Sequence, residues 1–419
     1  MSASSPPPPE TPESCPRSSA DAGHRHIVLV GAGHAHLHLL RHAKRLAPAR
    51  VTLIDPGGFW YSGLASAMLA GQASPSQDRI DPAELCRRQG IRLIRARLVA
   101  IDHQARRVHL SDATSLPYDR LSLNLGSASS ALAATTAGPT CWPVKPIPGL
   151  LVLRRTLTQE LMHKPRLRIA VIGQGATGIE VACAIRSLGC RLGIAPEHLT
   201  ITVVGRAAAP LADAPAKARR WLSARLDERH LDQINATDVI ATTPTGITLK
   251  AHQAPADASP THLVCDHLVM AGGLGPTALS RKLGLGVIED RGSAVAPTLQ
   301  CADQNNIFAA GDCAALLDQP LPRLGVHGVR QGPVLLHNLI ASLQGTPLTR
   351  YHPPKRVLSI LNLGDGDGLL LYGRWWLGGR LASRVKSWLD RRFLDSLRRI
   401  APSAVPAEVS TSASKSATL

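Results

Sequence analysis

Aromatic side chains are scarce in this sequence: tryptophan, tyrosine and phenylalanine together make up 3% of its 419 residues. Proteins that bind single-stranded nucleic acid stack bases on such rings, and no nucleic-acid recognition motif is present either. We therefore expect no nucleic-acid partner. The 47 basic residues nevertheless outnumber the 30 acidic ones, which favours anionic ligands such as nucleotides or anionic lipids.

Long apolar runs are also missing, since no stretch of about 18 uncharged apolar residues is present to predict a transmembrane helix. The first 22 residues are rich in proline and serine and lack the basic start and apolar run of a secretory signal. We interpret 1–23 as a disordered arm and 401–419 as a disordered tail. We expect a cytoplasmic protein, with peripheral attachment to the inner face of the membrane as a further option.

Cysteine pairs are absent as well: the eight cysteines show neither a C-x-x-C pair nor a metal-ligand spacing. This argues against a redox dithiol and against a zinc site. Histidines at positions 34, 36, 38 and 42 include pairs one helical turn apart, but no carboxylate or cysteine accompanies them. We expect no metal and interpret these histidines as neighbours of a phosphate-binding helix terminus.

Glycine-rich turns are what the sequence does contain. In the first, the strand-like run 26-HIVLV-30 leads into Gly31 and Gly33, and a helical segment follows in which His36 occupies the usual third glycine position. Such a turn brings backbone N–H groups to a pyrophosphate. The next apolar run ends in Asp55, at the distance where an acid binds the hydroxyls of an adenosine ribose. All four residues are candidate cofactor-binding residues.

The second turn, 171-VIGQGATGIE-180, has glycine at every position of the motif: Gly173, Gly175 and Gly178. The strand that follows ends in Arg206, where an NAD-selective site would place an acid. Arg206 suits the 2′-phosphate of NADPH, or it is one more surface arginine of an arginine-rich chain. Two turns of this kind predict two dinucleotide sites.

A third signature is 298-TLQCADQNNIFAAGDCAAL-316, where a predicted strand leads into Gly311 and Asp312. With 118-YDRLSLNLGS-127, which contains Gly126, it resembles the FAD-dependent pyridine nucleotide-disulfide oxidoreductase superfamily. The resemblance covers about residues 24–399. Within the superfamily the chain is most similar to type II NADH dehydrogenases and to the flavoprotein module fused to selenide, water dikinase, through phrases such as GAGHAHLHLLR and YHPPKRVLSILNLGDG.

The resemblance implies an α/β fold with two Rossmann-like dinucleotide-binding domains and a small C-terminal α+β cap. The FAD domain would occupy 24–150 and 276–345, with the NAD(P) domain inserted at 151–275 and the C-terminal domain at 346–400. FAD would bind at the first turn, with Asp312 on the ribityl chain or a nearby phosphate. NAD(P)H would bind at the second turn.

The activity that the resemblance implies is that of an FAD-dependent NAD(P)H dehydrogenase that passes electrons to a quinone-like or other small acceptor. Glu180 matches a glutamate that lies between nicotinamide and flavin in type II NADH dehydrogenases, or it is a helix-start acid. Lys145 and Gln331 are candidates for residues beside the flavin. The alternatives are that Lys145 is a surface lysine and that Gln331 caps a helix N-terminus. The A-Q-x-x-x-Q pattern of the quinone pocket is missing, because Val326 and Arg330 stand at its glutamine positions.

Other functions stay open at this stage. One is a flavoprotein reductase of selenium or sulfur metabolism, and another is a cofactor-binding partner protein without turnover. A sulfide:quinone oxidoreductase needs spaced cysteines around the flavin; Cys141 is one candidate, but no cysteine follows Cys313.

The segment 377–400 carries apolar residues every four positions, which predicts one helical stripe. Seven basic residues against two acidic ones lie between 380 and 399. Such a helix suits an anionic membrane surface, with Trp375 and Trp376 as interfacial anchors. The alternatives are packing on the protein itself or on a second subunit in a homodimer.

Overall fold

The computed structural model describes residues 24–129, 138–255 and 257–398. The predicted disordered arm and tail lie outside these residues. The described chain is a mixed α/β structure in which two sheets made largely of parallel strands carry most of the buried apolar side chains.

The strands as far as residue 234 are β1 (His26–Val30), β2 (Arg50–Ile54), β3 (Phe59–Trp60), β4 (Arg79–Ile80), β5 (Arg92–Ile94), β6 (Leu98–Asp102), β7 (Arg107–Leu110), β8 (Ser115–Pro117), β9 (Arg120–Leu123), β10 (Ala128–Ser129), β11 (Thr140–Pro143), β12 (Leu167–Ile172), β13 (Leu199–Val204) and β14 (Leu231–Ile234). The later strands are β15 (Thr237–Thr243), β16 (Gly246–Ala251), β17 (Thr261–Val264), β18 (His267–Met270), β19 (Leu274–Gly275), β20 (Val287–Ile288), β21 (Gly292–Val295), β22 (Gln300–Cys301), β23 (Gln304–Ala309), β24 (Ala314–Leu316), β25 (Leu358–Asn362), β26 (Gly368–Tyr372) and β27 (Trp375–Gly378). The α-helices are α1 (His34–Arg41), α2 (Ala65–Leu69), α3 (Pro75–Asp78), α4 (Ala83–Arg88), α5 (Pro148–His163), α6 (Ala176–Arg191), α7 (Ala216–Glu228), α8 (Ala278–Lys282), α9 (Gly325–Gln344) and α10 (Arg380–Arg398).

The first large sheet has the order β20-β21-β22-β23-β9-β1-β2-β5, and β24 pairs with β21. Strand β1 is buried along its whole length, as its unbroken run of histidine and β-branched or aliphatic residues requires between two parallel neighbours. Strands from the first third of the chain and strands from after residue 286 meet here, because β23 pairs with β9. The intervening segment is therefore inserted into this sheet, and the predicted fold class is confirmed.

The second large sheet has the order β11-β18-β12-β13-β14, and all its pairs are parallel. Strand β12 contains the apolar run that precedes the second glycine turn. The edge strand β11 belongs to this sheet although it precedes residue 151, where we predict that the NAD(P) domain begins. The exact domain boundaries stay predictions.

The C-terminal part consists of the antiparallel sheet β25-β26-β27 and helix α10, which packs on β25 and β26. The buried side chains of α10 include Ala382, Leu394 and Leu397. Leu377, which the sequence pattern places on the helical stripe, lies instead in strand β27, because the tight turn that ends the strand precedes the helix. No helix among the described residues is long and apolar enough to cross a bilayer.

Candidate functional site

The first glycine turn joins β1 to α1 at the carboxyl edge of the first sheet. Gly31 has a φ of +86°, and a β-carbon there would lie 2.5 Å from the carbonyl oxygen of Asn124. A β-carbon at Gly33 would lie 2.2 Å from Asn124 Oδ1. The N-cap residue of α1, Gly33, makes no side-chain hydrogen bond, and His36 N donates to Asn124 Oδ1 at 3.4 Å, so the N–H groups of His34 and Ala35 are available to an anion.

Asn124 is a site residue that sequence reasoning missed. It is buried, and its Nδ2 donates to the carbonyl oxygen of Ala310 at 2.6 Å. A β-carbon at Gly311 would lie 2.6 Å from that same nitrogen. Asn124 thus holds the first glycine turn against the Gly311 turn. The only sequence signal was its place directly after strand β9, at the edge where both turns meet.

Asp55 lies buried beneath the same turn. Its Oδ1 accepts from the backbone N–H of Ala32 at 3.0 Å, and its Oδ2 accepts from Gly57 N at 3.2 Å and from Gly58 N. Arg95 lies 3.6 Å from Oδ2. The carboxylate therefore braces the turn and the following loop; its binding of a ribose stays a prediction.

His36 occupies the third glycine position of the motif, and both nitrogens of its ring form hydrogen bonds within the protein. Its Nδ1 lies 2.6 Å from the carbonyl oxygen of Gly31, and its Nε2 lies 2.8 Å from Ser122 Oγ. Because a carbonyl only accepts, Nδ1 carries the proton and Nε2 accepts from the hydroxyl. Burial lowers the pKa of His36 to about 4, so the ring is neutral at pH 7. His36 therefore fixes the glycine turn through its hydrogen bond to the Gly31 carbonyl.

The other three histidines do not form a metal site with it. The ring of His34 lies among Phe59, Tyr61 and Phe393, with centroid distances of 4.7, 6.2 and 5.6 Å. The rings of His38 and His42 lie 4.3 Å apart. Among residues 24–129, 138–255 and 257–398, no three potential ligands of the His, Cys, Asp or Glu type converge.

Asp312 is the charged centre of the third signature. Its Oδ2 accepts from Lys145 Nζ at 2.6 Å and from Ser127 Oγ at 2.8 Å. Gly126, with a φ of +73°, makes the turn that presents Ser127. Burial opposes the charge on Asp312, but the Lys145 ammonium and these hydrogen bonds outweigh it and hold the pKa of the carboxyl below its usual value. Lys145 is therefore an internal partner of Asp312 and only partly exposed.

A cavity opens between Asp312 and the N-terminus of α9. Its lining includes Gly311, Asp312, Arg323, His327 and Gln331. Gln331 Oε1 accepts from Gly311 N at 2.6 Å, which fixes the turn. His327 is buried, and its Nε2 has no hydrogen-bond partner among the described residues. A buried unpartnered nitrogen beside an uncapped helix terminus fits a polar, anionic cofactor such as FAD.

The second turn repeats the geometry of the first in the second sheet. Gly173 has a φ of +123°, and a β-carbon at Gly178 would lie 1.8 Å from the carbonyl oxygen of Gly173. Gly175 caps helix α6 without any side-chain hydrogen bond. This turn therefore requires glycine at its first and third positions and leaves the helix N–H groups to a ligand.

Arg206 stands beyond the carboxyl end of β13, beside this turn. It is largely exposed and forms an ion pair with Asp238 of β15, which also accepts from His252 Nδ1 at 2.7 Å. The sequence drew attention to Arg206 but not to Asp238, since Asp238 enters from the next strand pair. Whether Arg206 contacts a 2′-phosphate stays a prediction.

Glu180 lies where helix α6 meets helix α2 and strand β25 of the C-terminal part. Its Oε1 accepts from Asn362 N of β25 at 2.8 Å and lies 3.4 Å from Ser66 Oγ of α2. Burial raises the pKa of Glu180 above its usual value. The side chain thus joins α6 to two other parts of the molecule.

Two sheets made largely of parallel strands, each with an uncapped helix following a glycine turn at a carboxyl edge, define a protein that binds two dinucleotides. The chain belongs to the pyridine nucleotide-disulphide oxidoreductase family, whose sequence model matches residues 25–332. It is therefore an oxidoreductase that uses FAD and NAD(P)H, as the sequence predicted.

The relatives and solved structures agree with this assignment. The demethylphylloquinone reductase NdbB of Synechocystis sp. is 26% identical over 83% of this chain and 86% of its own length. The type II NADH:quinone oxidoreductase NdhA of Mycobacterium tuberculosis is 27% identical over 75% and 70%, respectively. NDH2 of Plasmodium falciparum, solved with NADH, shares the fold with a TM-score of 0.77 at 14% identity, over 90% of this chain and 96% of that one.

The sulfide:quinone oxidoreductase of Aquifex aeolicus also shares the fold. Its TM-score is 0.76 at 17% identity, and the match covers 90% of this chain and 93% of that one. Cys141 and Cys313 of this chain are free thiols, and burial raises the pKa of Cys313 to about 11. Cys313 is therefore a protonated, buried thiol and a poor nucleophile.

Proposed function

We propose that this protein oxidises NAD(P)H and passes the electrons through FAD to a quinone. The observation that carries the proposal is the pair of glycine turns on two sheets, with Glu180 near the start of the second helix held by Asn362 and Ser66. Two relatives whose names include a quinone substrate support the choice of acceptor. Bound FAD would supply the redox chemistry, accepting hydride from NAD(P)H and delivering electrons to the quinone.

The residues of the chain would bind and orient the two cofactors. The first turn and the uncapped start of α1 would hold the FAD pyrophosphate, and Asp312 would accept from the ribityl hydroxyls. Lys145 keeps Asp312 charged and in place, and Gln331 fixes the Gly311 turn, so both are positioning residues. The second turn would hold the pyrophosphate of NAD(P)H, and Glu180, at the start of the adjoining helix, would face the nicotinamide.

The choice of acceptor is tested by separating the two half-reactions. Without oxygen, NADH or NADPH should bleach the flavin absorbance in a single turnover, and menadione should restore it. A bleached flavin that only a selenium or sulfur compound reoxidises would replace the quinone by that acceptor. A flavin that neither nucleotide bleaches would overturn the proposal and favour a cofactor-binding partner protein.

We also propose that the protein attaches peripherally to the inner face of the membrane through residues 375–398. Trp375, Leu381 and Trp388 are 74%, 57% and 53% exposed on the outer side of β27 and α10. Arg392 lies over the Trp388 ring, with its guanidinium carbon 5.4 Å from the ring centroid. Exposed aromatic rings beside arginines are typical of interfacial binding to anionic lipid. Trp376, in contrast, packs against Trp221 and would not be an anchor.

A further inference from the structure

The carboxyl end of β13 is adjacent to the second glycine turn, because Gly173 N donates to the Val204 carbonyl at 2.8 Å. In dinucleotide-binding folds the adenosine ribose lies over this strand end, and an acid there accepts from its hydroxyls. This chain has Gly205 and Arg206 at that point. The hydroxyl acceptors must therefore come from another part of the chain.

Asp238 is the carboxylate that stands there. Thr237 N donates to the Gly205 carbonyl at 2.9 Å, which ties the start of β15 to the loop after β13. Asp238 then pairs with Arg206 and His252, and Lys250 lies opposite it in the β15–β16 pair. One acid is thus surrounded by basic side chains. The hydrogen bond from His252 and the Arg206 guanidinium hold the pKa of Asp238 below its usual value, so it is charged at neutral pH.

Gln174, the second residue of the turn, supplies an independent observation. Its side chain is buried, and its Nε2 donates to the Ile234 carbonyl at 3.3 Å and to Asn235 Oδ1. Its Oε1 is buried and has no partner among the described residues. A β-carbon at Gly205 would lie 2.7 Å from this side chain, so glycine there gives Gln174 its room. An unpaired acceptor in the turn itself fits a ribose hydroxyl.

We propose that Asp238 sets the choice between NADH and NADPH. With Gln174 it supplies the hydroxyl acceptors that a strand-end acid supplies in other NAD sites, and it neutralises Arg206. The free 2′-hydroxyl of NADH is then bound in preference to the 2′-phosphate of NADPH. The inference rests on the proposed function only in assigning the second turn to NAD(P)H.

Replacing Asp238 by Asn should reverse the electrostatics without changing the shape. Arg206 and His252 then lack their acid, and a guanidinium binds phosphate more strongly than a neutral hydroxyl. We expect NADP⁺ to bind about tenfold more tightly and NAD⁺ a few-fold more weakly. Arg206→Ala added to Asp238→Asn should abolish the gain for NADP⁺, because Arg206 is the group that Asp238 restrains.

The experiment is calorimetric titration of NAD⁺ and NADP⁺ into the full-length, FAD-loaded protein and its variants. Asp227→Asn is the matched control, since Asp227 lies near the C-terminal end of α7, at the edge of the sheet opposite the turn. The proposal is overturned if Asp238→Asn changes the ratio of the two dissociation constants less than twofold, or if the control changes it equally. Because binding is measured, a protein that never reduces its flavin would refute the proposed function and still decide this inference.

Discussion

At the scale of single residues, Asp312 carries the clearest consequence for the flavin site. Asp312→Ala removes the acceptor and leaves Lys145 without its carboxylate. A hydrogen bond to a charged group contributes about 1.5–3 kcal/mol, so FAD affinity should fall roughly ten- to hundredfold. Titration of FAD into apoprotein, followed by fluorescence quenching, measures this. Asp318→Ala, an exposed carboxylate of the same segment, is the control, and equal affinity in both variants would contradict the prediction.

The buried carboxyl group of Asp78 leads to a prediction about how the stability of the protein depends on pH. Its side chain is fully buried, and neither carboxyl oxygen has a hydrogen-bond partner among the described residues. Burial, and secondarily the charge of Asp390, raise its pKa to about 7. The folded protein therefore binds a proton that the unfolded chain releases near pH 4. The stability that this proton contributes is present below pH 4 and is lost as pH rises through about 7.

Asp78→Asn keeps the shape and removes the titration. The variant should match the wild type near pH 4 and become more stable than it toward pH 8, by on the order of 2–4 kcal/mol. Urea unfolding at several pH values measures the difference. Asp81→Asn should show no such rise between about pH 5 and 8, because the hydrogen bonds from Ala83 and Arg95 outweigh partial burial and hold the pKa of Asp81 below its usual value, so this carboxylate stays charged over the whole range. A stability gain for Asp78→Asn that is equal at all pH values would refute the titration argument.

His36 shows what a residue pattern predicts and where it stops. The position in the motif correctly located the turn, but the pattern could not show that an imidazole would replace glycine by bonding to the Gly31 carbonyl and Ser122. Ser122 is distant in sequence, and pairing between β1 and β9 brings it close. Asn124 and Asp238 escaped prediction for the same reason, since only tertiary contacts place them at the turns.

At the scale of elements, the start of α6 depends on Gly178. A β-carbon there would lie 1.8 Å from the Gly173 carbonyl, so Gly178→Ala must shift the helix or open the turn. We expect NAD⁺ affinity to fall more than about tenfold while FAD stays bound, because a small displacement spoils several N–H contacts together. Gly149→Ala at the start of α5, where a β-carbon meets only an ordinary 3.6 Å contact, is the control. Unchanged NAD⁺ binding in Gly178→Ala would remove this turn from the nucleotide site.

The helix stripe predicted from the four-residue spacing was only partly realised. Phe393 and Leu397 face the protein, while Leu381 is exposed and Ala382 is buried in its place. Over a long helix a four-residue spacing drifts around the axis, since a turn takes 3.6 residues. Tyr61 Oη donates to Asp390 and Lys386 donates to the Gly63 carbonyl, and these contacts help to fix which side faces inward. Polar contacts of this kind leave no trace in an apolar periodicity.

At the scale of the whole molecule, the insertion of one dinucleotide unit into another was implied by the family resemblance. That resemblance could be found in the sequence because turns, strands and helix starts are short-range features, and three signatures of this kind carry it. The boundary between the two domains near residue 150 was harder to predict from the sequence. Strand β11 is recognised as part of the second sheet only by its pairing with β18, a partner more than a hundred residues away.

The last prediction concerns how the molecule meets a surface. The exposed face of Trp375, Leu381 and Trp388 should bind vesicles of phosphatidylcholine with phosphatidylglycerol. Raising the salt concentration should weaken this binding, because Arg384, Arg391 and Arg392 are exposed on the same helix.

Leu381→Ser with Trp388→Ser removes two large apolar side chains from that face. Burial of each side chain contributes roughly 1.5–3 kcal/mol, so vesicle affinity in co-sedimentation should fall at least about tenfold. Val99→Ser with Ile240→Ser, two exposed apolar residues on other sheets, should leave the affinity unchanged. A different outcome is that the wild type does not bind vesicles and that the Leu381/Trp388 variant has half the molar mass of the wild type in analytical sedimentation. In that case the face joins two copies of this chain. These apolar side chains are then buried in a homodimer interface, because the same side chains cannot contact lipid and a second copy at the same time.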